Sequence, residues 1–446
     1  MSARKSHTRR SFLKCAAASG AAWAVPHFVP ASALGAEGIA SPGNRITVGM
    51  IGMGRQATLV NLHGFFASPD AQVIAVCDVD AWRLANGKKA AEEHYAKKAR
   101  TGQFKGCASY KDFRDLLARK DIDAVMVSTP DHWHVPVSLA AVEAGKDVSC
   151  EKPITRSIAE GRKLADAVKK HARVFRVDSE FRSIAHILRA VELVRNGRIG
   201  KLHTIRSGVP AGDNVTCPAT PDMPVPEDLD YELWQGPAPG APYTEERVHP
   251  PKTFGRPGWM RVLYYCDGMV TNWGTHLNDI VQWGNDSELT GPVEIEGQGV
   301  FPPPGQLWNV LKTFEIHYRY ANGVRLIYKT EKPYVRFEGS AGWICVDYPQ
   351  GLAAEPASIL DSKLGPDAIR FPLKTDKQDF LDAVKTRGRT LEDAEVGHRT
   401  TSLCHLGHIA IHVGGKLLWD PRGERFTNNE SANQWIARPF HAPRPT

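Results

Sequence analysis

Two hydrophobic patterns alternate along the first part of the chain. Short apolar runs rich in β-branched residues predict buried strands over 45–51, 72–77, 123–128, 147–150 and 174–177. Segments with helical periodicity lie between them, at 111–119, 136–144 and 164–171. Regular alternation of strands and helices predicts an α/β fold with a doubly wound parallel sheet, which binds ligands at the carboxyl ends of its strands.

The pattern changes after residue 178. A helix is predicted over 184–195, with Asn196-Gly197 as its stop signal, followed by a strand over 201–209. Strands at 313–320 and 324–329 are joined by Asn322-Gly323, which indicates a hairpin. Closing helices are predicted at 380–384 and 392–410. The second half is therefore expected to be a strand-rich domain.

A long proline-rich segment interrupts this second half. Ten prolines fall between Pro218 and Pro257, too many for regular helices or strands. Long loops in compact domains are often functional. We expect this one to be ordered and to border the substrate site.

The positive charge of the chain is concentrated at its N-terminus. The formal net charge is +7, but residues 1–36 hold five lysines and arginines and no acidic residue, which leaves +2 on residues 37–446. A balance so close to neutral gives no support for nucleic-acid binding.

Those first residues resemble a secretion signal. Arg9-Arg10 is followed by Ser-Phe-Leu-Lys and an alanine-rich apolar stretch, the order found in twin-arginine signals. Gly20, Pro26 and His27 interrupt the apolar stretch, so no stable membrane anchor is expected. We predict a signal peptide over residues 1–36, a periplasmic or otherwise exported protein, and the twin-arginine export machinery as a partner. Cleavage sites remain open at Ala31, Ala33 and Ala36.

Seven cysteines remain beyond this segment. Their number is odd, their spacing is scattered, and no Cys-x-x-Cys pair occurs. Neither a disulfide framework nor a metal site is expected. This usage suits a protein that folds in the reducing cytoplasm before export.

A glycine-rich turn follows the first strand directly. Gly52-Met53-Gly54-Arg55-Gln56-Ala57 has the pattern G-x-G-x-x-A, which lets backbone approach a pyrophosphate at a helix N-terminus. The second strand ends at Asp78, whose carboxylate would accept hydrogen bonds from a ribose hydroxyl and repel a 2′-phosphate. The arrangement predicts a Rossmann domain that binds NAD. Arg55 and Arg83 lie close enough in sequence to leave NADP possible.

Further motifs carry a resemblance to a known family. Residues 129–134 (Thr-Pro-Asp-His-Trp-His), 144–146 (Ala-Gly-Lys) and 151–153 (Glu-Lys-Pro) resemble the signature of the Gfo/Idh/MocA oxidoreductases. Segments 225–237 and 267–279 extend the resemblance, and 403–421 resembles an exported branch common in planctomycete-type bacteria. The family resemblance implies a Rossmann domain over 44–178 and a substrate-binding and oligomerisation domain over 179–446. The second is expected to be an α+β domain whose open, largely antiparallel sheet forms a substrate platform and a homo-oligomer interface.

The resemblance also implies roles for individual residues. Lys152 would be catalytic, contacting the nicotinamide ribose and the substrate hydroxyl and relaying its proton. The remaining cofactor contacts would be the glycine turn (Gly52, Met53, Gly54, Arg55 and Gln56) with Asp78, Thr129, Pro130, His134 and Glu151. Substrate contacts would come from Trp133, Arg182, Asn272, His276 and Asp279.

The second half departs from the family pattern at one position. The family carries an Asp and a His four residues apart on one helix, and here these positions are Asn272 and His276. His276 is the candidate acid/base. An amide at 272 can hydrogen-bond a sugar hydroxyl but accepts no proton, so the relay would rest on Lys152 with His276. Asp279 is expected to orient His276 or to bind a sugar hydroxyl.

These observations support three hypotheses. The first is an exported oxidoreductase with a tightly bound nicotinamide cofactor, acting on a hydroxyl carbon of a sugar, polyol or glycoside. The second is redox-neutral cleavage of a glycoside through a transient keto-sugar. The third, favoured by Asn272, is an inactive carbohydrate-binding relative, since fold does not fix function.

Overall fold

The structure is a computed structural model that describes residues 45–98, 106–212 and 216–437. The signal predicted over residues 1–36 lies outside these ranges. In the described residues, no helix has the length and apolar character needed to cross a membrane.

A six-stranded parallel sheet forms the first half. Its strands are β1 (Ile46–Ile51), β2 (Ala71–Cys77), β3 (Ala108–Tyr110), β4 (Ala124–Val127), β5 (Asp147–Glu151) and β6 (Phe175–Asp178). They are ordered β3-β2-β1-β4-β5-β6, and every pairing is parallel. Strands β4 and β5 are buried along their whole length, as expected of central strands covered by helices on both faces. The doubly wound sheet predicted from the sequence is confirmed.

Helices cover both faces of this sheet. A π-helical turn (Ala57–Asn61) leads into α1 (Leu62–Ala67), followed by α2 (Ala81–Lys98), α3 (Phe113–Leu117), α4 (His134–Glu143) and α5 (Ile158–Lys170). Helix α5 begins six residues before the predicted 164. The cause is an N-cap at Ser157, whose hydroxyl accepts from the amide of Glu160. Ser157 and Glu160 have the spacing of a capping box, a signal that apolar periodicity alone misses.

A nine-stranded sheet dominates the second half. It consists of β7 (Leu202–Val209), β8 (Pro292–Val300), β9 (Thr313–Tyr320), β10 (Arg325–Thr330), β11 (Tyr334–Gly339), β12 (Gly342–Asp347), β13 (Gly351–Glu355), β14 (Leu417–Asp420) and β15 (Arg425–Phe426). The order is β13-β12-β11-β7-β10-β9-β8-β14-β15. Only the β7–β10 pair is parallel among these strands. The largely antiparallel sheet implied by the family resemblance is confirmed.

Helices pack on one face of this second sheet. They are α6 (Ala185–Arg195), α8 (Met269–Asn272), α9 (Gly274–Gly284) and α11 (Ala394–Val413). Alternate residues of β9 (Phe314, Ile316, Tyr318 and Tyr320) are buried under them. The residues between them on β9 are more exposed and include Arg319, which pairs with Glu294 of β8. Burial alternates from one residue to the next along β9, so the buried residues all lie on the face of the sheet that carries the helices.

The last helices return to the first half of the chain. Phe380 and Leu381 of α10 (Asp376–Thr386) belong to the same buried cluster as Phe65. Arg176 of β6 pairs with Asp379 at 3.0 Å. Helix α10 thus completes the core beside the parallel sheet, although it lies beyond residue 179 in the chain.

The proline-rich segment forms a strap over the end of β2. We define the strap as residues 216–261, which include α7 (Tyr231–Gln235). The amide of Ala81 donates to the Asp228 carbonyl at 2.8 Å, and the amide of Asp230 donates to the Val79 carbonyl at 3.0 Å. The last helix, α12 (Glu430–Asn433), is not part of the strap and lies beside β15. The strap therefore lies at the ligand-binding edge of the parallel sheet.

Candidate active site

A cavity of about 370 Å³ opens at the carboxyl edge of the parallel sheet. Its volume falls within the range of small-molecule sites. Its walls come from the turns after β1, β2, β4, β5 and β6, from α8 and α9, and from the strap, and include Gly52, Asp78, Thr129, Lys152, Glu180, His276 and Trp259. The strap borders the cavity, as the sequence predicts. The site is thus built where an open parallel sheet offers it.

The glycine turn leaves room for a ligand at the cavity wall. Gly52 has φ +86°, and a Cβ there would lie 2.7 Å from the backbone of Ser128. At Gly54, a Cβ would meet nothing within 4 Å, so backbone is accessible from the cleft. Arg55 and Gln56 are exposed beside it. The turn fits a pyrophosphate, because backbone can approach it closely.

Met53 has a different position from its neighbours. Its side chain is fully buried against Gly87 and does not line the cavity. Its amide is hydrogen-bonded to Asp78 Oδ2 at 2.6 Å. The expectation that Met53 contacts the cofactor does not fit this placement, since its donor already serves the carboxylate of Asp78.

Asp78 lies at the cavity wall after β2. Oδ2 accepts from the Met53 amide, and Oδ1 accepts from the Asp80 amide at 2.8 Å. Burial raises the pKa of Asp78 to about 6, although both backbone hydrogen bonds oppose the rise. The carboxylate is oriented by two amides and remains at the cavity wall, which fits the ribose contact predicted for it.

The guanidinium of Arg83 is engaged by other groups of the protein. Its Nη1 donates to Asp80 Oδ2 at 2.6 Å, and its Nη2 donates to the Thr253 carbonyl of the strap at 2.9 Å. The residue is only 5% exposed. If Arg83 were to bind the 2′-phosphate of NADP, it would have to give up these partners. Arg55, in contrast, is exposed at the cavity.

The residues after β4 brace two walls of the site. Thr129 and Pro130 line the cavity. The ring nitrogens of buried His134 lie 2.7 Å from the Pro153 carbonyl and 2.9 Å from the Thr129 carbonyl. His134 therefore joins the turn after β4 to the Lys152–Pro153 turn. Trp133 also lines the cavity, where its indole donates to the Trp234 carbonyl of the strap at 2.9 Å.

Lys152 and Asn272 meet across the site. Lys152 follows β5, and its Nζ donates to the backbone carbonyl of Asn272 at 3.2 Å. Asn272 ends α8 and α9 begins at Gly274, but Trp273 between them keeps helical backbone angles (φ −84°, ψ −30°), and its carbonyl accepts from the Leu277 amide at 3.2 Å. The chain therefore stays helical from Asn272 to His276 with a one-residue irregularity. Both Asn272 and His276 line the cavity with Lys152.

His276 is held by two neighbours from the turn after β6. Ser179 Oγ lies 3.0 Å from Nδ1, and Phe181 stacks on the ring with centroids 4.5 Å apart. With Nδ1 engaged, Nε2 is the nitrogen available to the cavity. Burial lowers the pKa of His276 to about 4; Glu180 opposes the shift and Lys152 adds to it. The ring is therefore neutral near pH 7 and able to accept a proton.

Arg182 and Asp279 do not line the cavity. Arg182 Nε donates to Asp279 Oδ2 at 2.7 Å, and Nη2 donates to Oδ1 at 2.5 Å. Arg182 also pairs with Glu288 at 2.7 Å. The expectation that these two residues bind substrate does not fit, because their charged groups are buried against each other, and Asp279 gives His276 no hydrogen bond among the contacts described.

The side chain of Glu151 is held by residues that no sequence motif identifies. Asn61 Nδ2 donates to Glu151 Oε1 at 2.8 Å, and Lys377 Nζ donates to Asn61 Oδ1 at 3.2 Å. Burial raises the pKa of Glu151. Asn61 and Lys377 are 316 residues apart, so only the folded chain brings them together.

Aromatic rings form the wall beside His276. Tyr348 stacks on Phe181 with centroids 4.9 Å apart, and Trp273 meets Tyr348 edge-on at 5.8 Å. All three line the cavity. Ring faces offer apolar surface next to hydrogen-bonding groups, a combination suited to a ligand that has both C–H faces and hydroxyls. None of these three residues was predicted from the sequence to line the site.

Curated proteins similar to this chain include a glycosyl hydrolase family 109 protein and a levoglucosan dehydrogenase. The chain is 30% identical over 207 residues to glycosyl hydrolase family 109 protein 2 of Shewanella sp. (strain ANA-3), covering 44% of each. It is 35% identical over 98 residues to levoglucosan dehydrogenase of Pseudarthrobacter phenanthrenivorans, covering 22% of this chain and 25% of that one. The alignments thus span about half or less of these curated relatives' length.

Solved structures share the fold. Aldose-aldose oxidoreductase from Caulobacter crescentus superposes with a TM-score of 0.58 at 17% identity, covering 84% of this chain and 99% of that one. Levoglucosan dehydrogenase in complex with NADH and L-sorbose gives 0.58 at 18% identity, covering 84% and 98%.

Family models match both halves of the chain. Residues 46–179 match the NAD-binding Rossmann fold of the oxidoreductase family. Residues 215–445 match its C-terminal alpha/beta domain. The second match alone spans more than half of the 446 residues, and it follows the first along the chain. The chain belongs to the Gfo/Idh/MocA oxidoreductase family.

Proposed function

We propose that this protein is an exported oxidoreductase that uses a tightly held NAD to oxidise or reduce a hydroxyl-bearing carbon of a sugar, polyol or glycoside. The observation that carries the proposal is the meeting of Lys152 and His276 in one cavity with the glycine turn and Asp78. A nicotinamide dinucleotide, when bound, supplies hydride transfer.

The residues of the cavity wall fit such a cofactor. The turn at Gly52 and Gly54 would hold the pyrophosphate, and Asp78 would accept from the adenosine ribose. Thr129, Pro130 and Lys152 would border the nicotinamide end. Asp78 favours NAD, and the engagement of Arg83 by Asp80 and Thr253 supports the same choice.

The proton chemistry belongs to Lys152 and His276. A substrate hydroxyl in the cavity would meet Lys152 Nζ, which the Asn272 carbonyl orients. Neutral His276 would accept the hydroxyl proton at Nε2 when the alcohol is oxidised and return it for reduction. The Asn272 side chain would bind a neighbouring hydroxyl.

The aromatic wall supports a sugar-like substrate. Trp273 and Tyr348 would cover the C–H face of a ring while Asn272 and Lys152 engage its hydroxyls. Relatives named levoglucosan dehydrogenase and myo-inositol 2-dehydrogenase support this substrate class.

The strap supports tight retention of the cofactor. It is tied to the end of β2 by backbone hydrogen bonds and by Arg83, beside the predicted ribose site. Tight retention would suit a protein exported by the twin-arginine route, since a cofactor inserted before export needs to stay bound. We further propose a homo-oligomer formed through the open sheet face, to be tested by sedimentation.

The first test is the cofactor content of the purified protein. The protein is isolated without added dinucleotide and denatured, and the released nucleotides are identified by mass spectrometry. Near-stoichiometric NAD(H) supports the proposal, and NADP(H) corrects the cofactor. A protein that is empty and also fails to bind added NAD or NADP overturns it and leaves the inactive carbohydrate-binding relative.

The second test is reduction of the bound cofactor by substrate. Sugars and polyols, including levoglucosan and myo-inositol, are supplied in excess and the absorbance of the reduced nicotinamide is followed. Lys152→Met is the matched control, because it removes the amine and keeps a side chain of similar length. Reduction by the wild type and not by the variant is expected.

Redox-neutral cleavage of a glycoside is a second candidate. It is favoured by relatives named glycosyl hydrolase family 109. With aryl glycosides as probes, it predicts release of the phenol without net accumulation of reduced nicotinamide. Net reduction that matches substrate consumption instead supports the dehydrogenase.

A further inference from the structure

A short turn after β6 surrounds His276 from one side. Ser179 Oγ lies 3.0 Å from Nδ1, and Phe181 stacks on the ring. Glu180 is the residue between them, so its backbone is fixed beside the imidazole. Unlike its two neighbours, Glu180 is exposed, and it lines the same cavity as Lys152 and His276.

Most other carboxylates near the site are engaged with other side chains, and Asp131, which also lines the cavity, is only 3% exposed and so lacks the open access to solvent that Glu180 has. Asp279 is paired with Arg182, and Glu151 accepts from Asn61 in a buried position. Asp178, also buried, accepts from Lys377. Position 272, across the cavity, is an amide. Glu180 therefore combines a place in the cavity wall with open access to solvent.

We propose that Glu180 is the proton acceptor that connects His276 to solvent, in place of a carboxylate at position 272. The inference rests on the proposed oxidoreductase function. In alcohol oxidation, the O–H bond of the substrate breaks and an N–H bond forms at His276 Nε2. That N–H bond then breaks, and the proton moves to the Glu180 carboxylate, directly or through one water, and on to bulk solvent. Hydride transfer from the carbon stays with the dinucleotide.

The charges that act on His276 agree with this role. Glu180 and Lys152 act on the ring with opposite sign, and Glu180 raises its pKa. A buried imidazole holds a proton poorly, because burial disfavours the charged form. A carboxylate beside it stabilises the transient imidazolium and then removes its proton, which lets His276 act again in the next turnover.

The first experiment measures His276 without catalysis. Histidine-labelled protein is titrated by NMR, with His276→Gln to assign the resonance. Glu180→Gln is expected to lower the pKa of His276, because it removes the negative charge and leaves Lys152. Glu180→Asp is expected to preserve the wild-type value in part. Glu143→Gln is the matched control, since Glu143 is exposed at the far end of α4.

The second experiment measures turnover of whichever sugar or polyol the wild type oxidises. Glu180→Gln is expected to lower kcat about tenfold or more and to change KM less. The acid limb of the pH profile of kcat is expected to move to lower pH. Added formate is expected to restore part of the activity of Glu180→Ala, because a small carboxylate can occupy the vacated position.

The outcomes separate this inference from the function on which it rests. An active wild type with an unaffected Glu180→Gln variant overturns the relay, as does a variant whose His276 pKa falls while kcat stays unchanged. A wild type that oxidises no sugar and releases no dinucleotide overturns the proposed function itself. In that case an altered pKa in Glu180→Gln still establishes that the charge of Glu180 acts on His276.

Discussion

Lys152 Nζ is held by the backbone carbonyl of Asn272 rather than by a side chain. This contact ties the end of β5 to the end of α8 and orients the amine at the cavity. This contact therefore depends on the backbone at residue 272, and any residue there can provide it.

Replacing Lys152 with Met tests the role of the amine. We expect kcat to fall by about 100-fold or more, the range of a lost acid–base group. The unfolding midpoint in urea should stay close to wild type, because Lys152 is only half-buried and makes one hydrogen bond among those described. A variant that retains wild-type kcat would contradict the assignment.

Replacing Asn272 with Asp tests whether the site works with a carboxylate at this position. The new charge would lie beside Lys152 and near His276, and it would raise the pKa of His276. We expect the acid limb of the kcat/KM profile to move to higher pH. Asn272→Ser, which keeps a neutral hydrogen-bonding group, is the control and should leave that limb in place.

Asp78 should make cofactor binding depend on pH. Its pKa is raised to about 6, so the carboxyl is protonated below that pH and loses acceptor capacity toward a ribose hydroxyl. NAD affinity, measured by calorimetry on protein stripped of nucleotide, should therefore fall as the pH decreases through 6. In Asp78→Asn the affinity should be lower and independent of pH in this range. Equal pH dependence in both proteins would assign the titration to another group.

The buried pair of Arg182 and Asp279 gives a prediction about stability. Asp279→Asn leaves the guanidinium without its main partner, and we expect a loss of about 3–5 kcal/mol in the free energy of unfolding. Urea denaturation measures it. Arg182→Met combined with Asp279→Leu should cost less than the sum of the single changes, because neither charge is left alone. A raised KM at unchanged stability would instead support a substrate contact.

Local patterns explain which parts of the site could be predicted. Gly52, Asp78, Thr129 and Lys152 each follow a buried strand, and parallel strands bring their carboxyl ends to one edge. Their meeting in one cavity follows from the order of strands and turns. His276 was found through the family pattern, and the helical segment expected to carry it with Asn272 shows only a one-residue irregularity at Trp273, whose backbone angles stay helical.

Packing explains what the sequence did not reveal. Asp279 follows His276 by three residues, but its direction is set by Arg182, which lies 97 residues earlier. Lys377 reaches Asn61 only because α10 returns to the first sheet. Such pairings depend on the assembled fold and leave no periodic signal. Glu180 has no such signal either, since a lone exposed carboxylate in a turn is ordinary.

The strap should control how fast the dinucleotide leaves. Arg83 reaches from α2 to the Thr253 carbonyl of the strap, while His249 contacts Asp80, also bound by Arg83. Arg83→Met removes the donor and loosens this closure, so we expect bound NAD to dissociate about tenfold faster, equivalent to about 1.4 kcal/mol. Dissociation is followed by trapping released NAD with a coupled dehydrogenase.

A second change on the same strap supplies the control. Lys252 pairs with Asp228 at 3.3 Å, but both side chains are largely exposed, and such pairs contribute little. Lys252→Met should therefore leave the dissociation rate near wild type. Equal rates in wild type, Lys252→Met and Arg83→Met would show that the strap does not retain the cofactor. Faster release in Arg83→Met alone assigns retention to Arg83, which both joins α2 to the strap and lines the cavity, because Lys252 does neither.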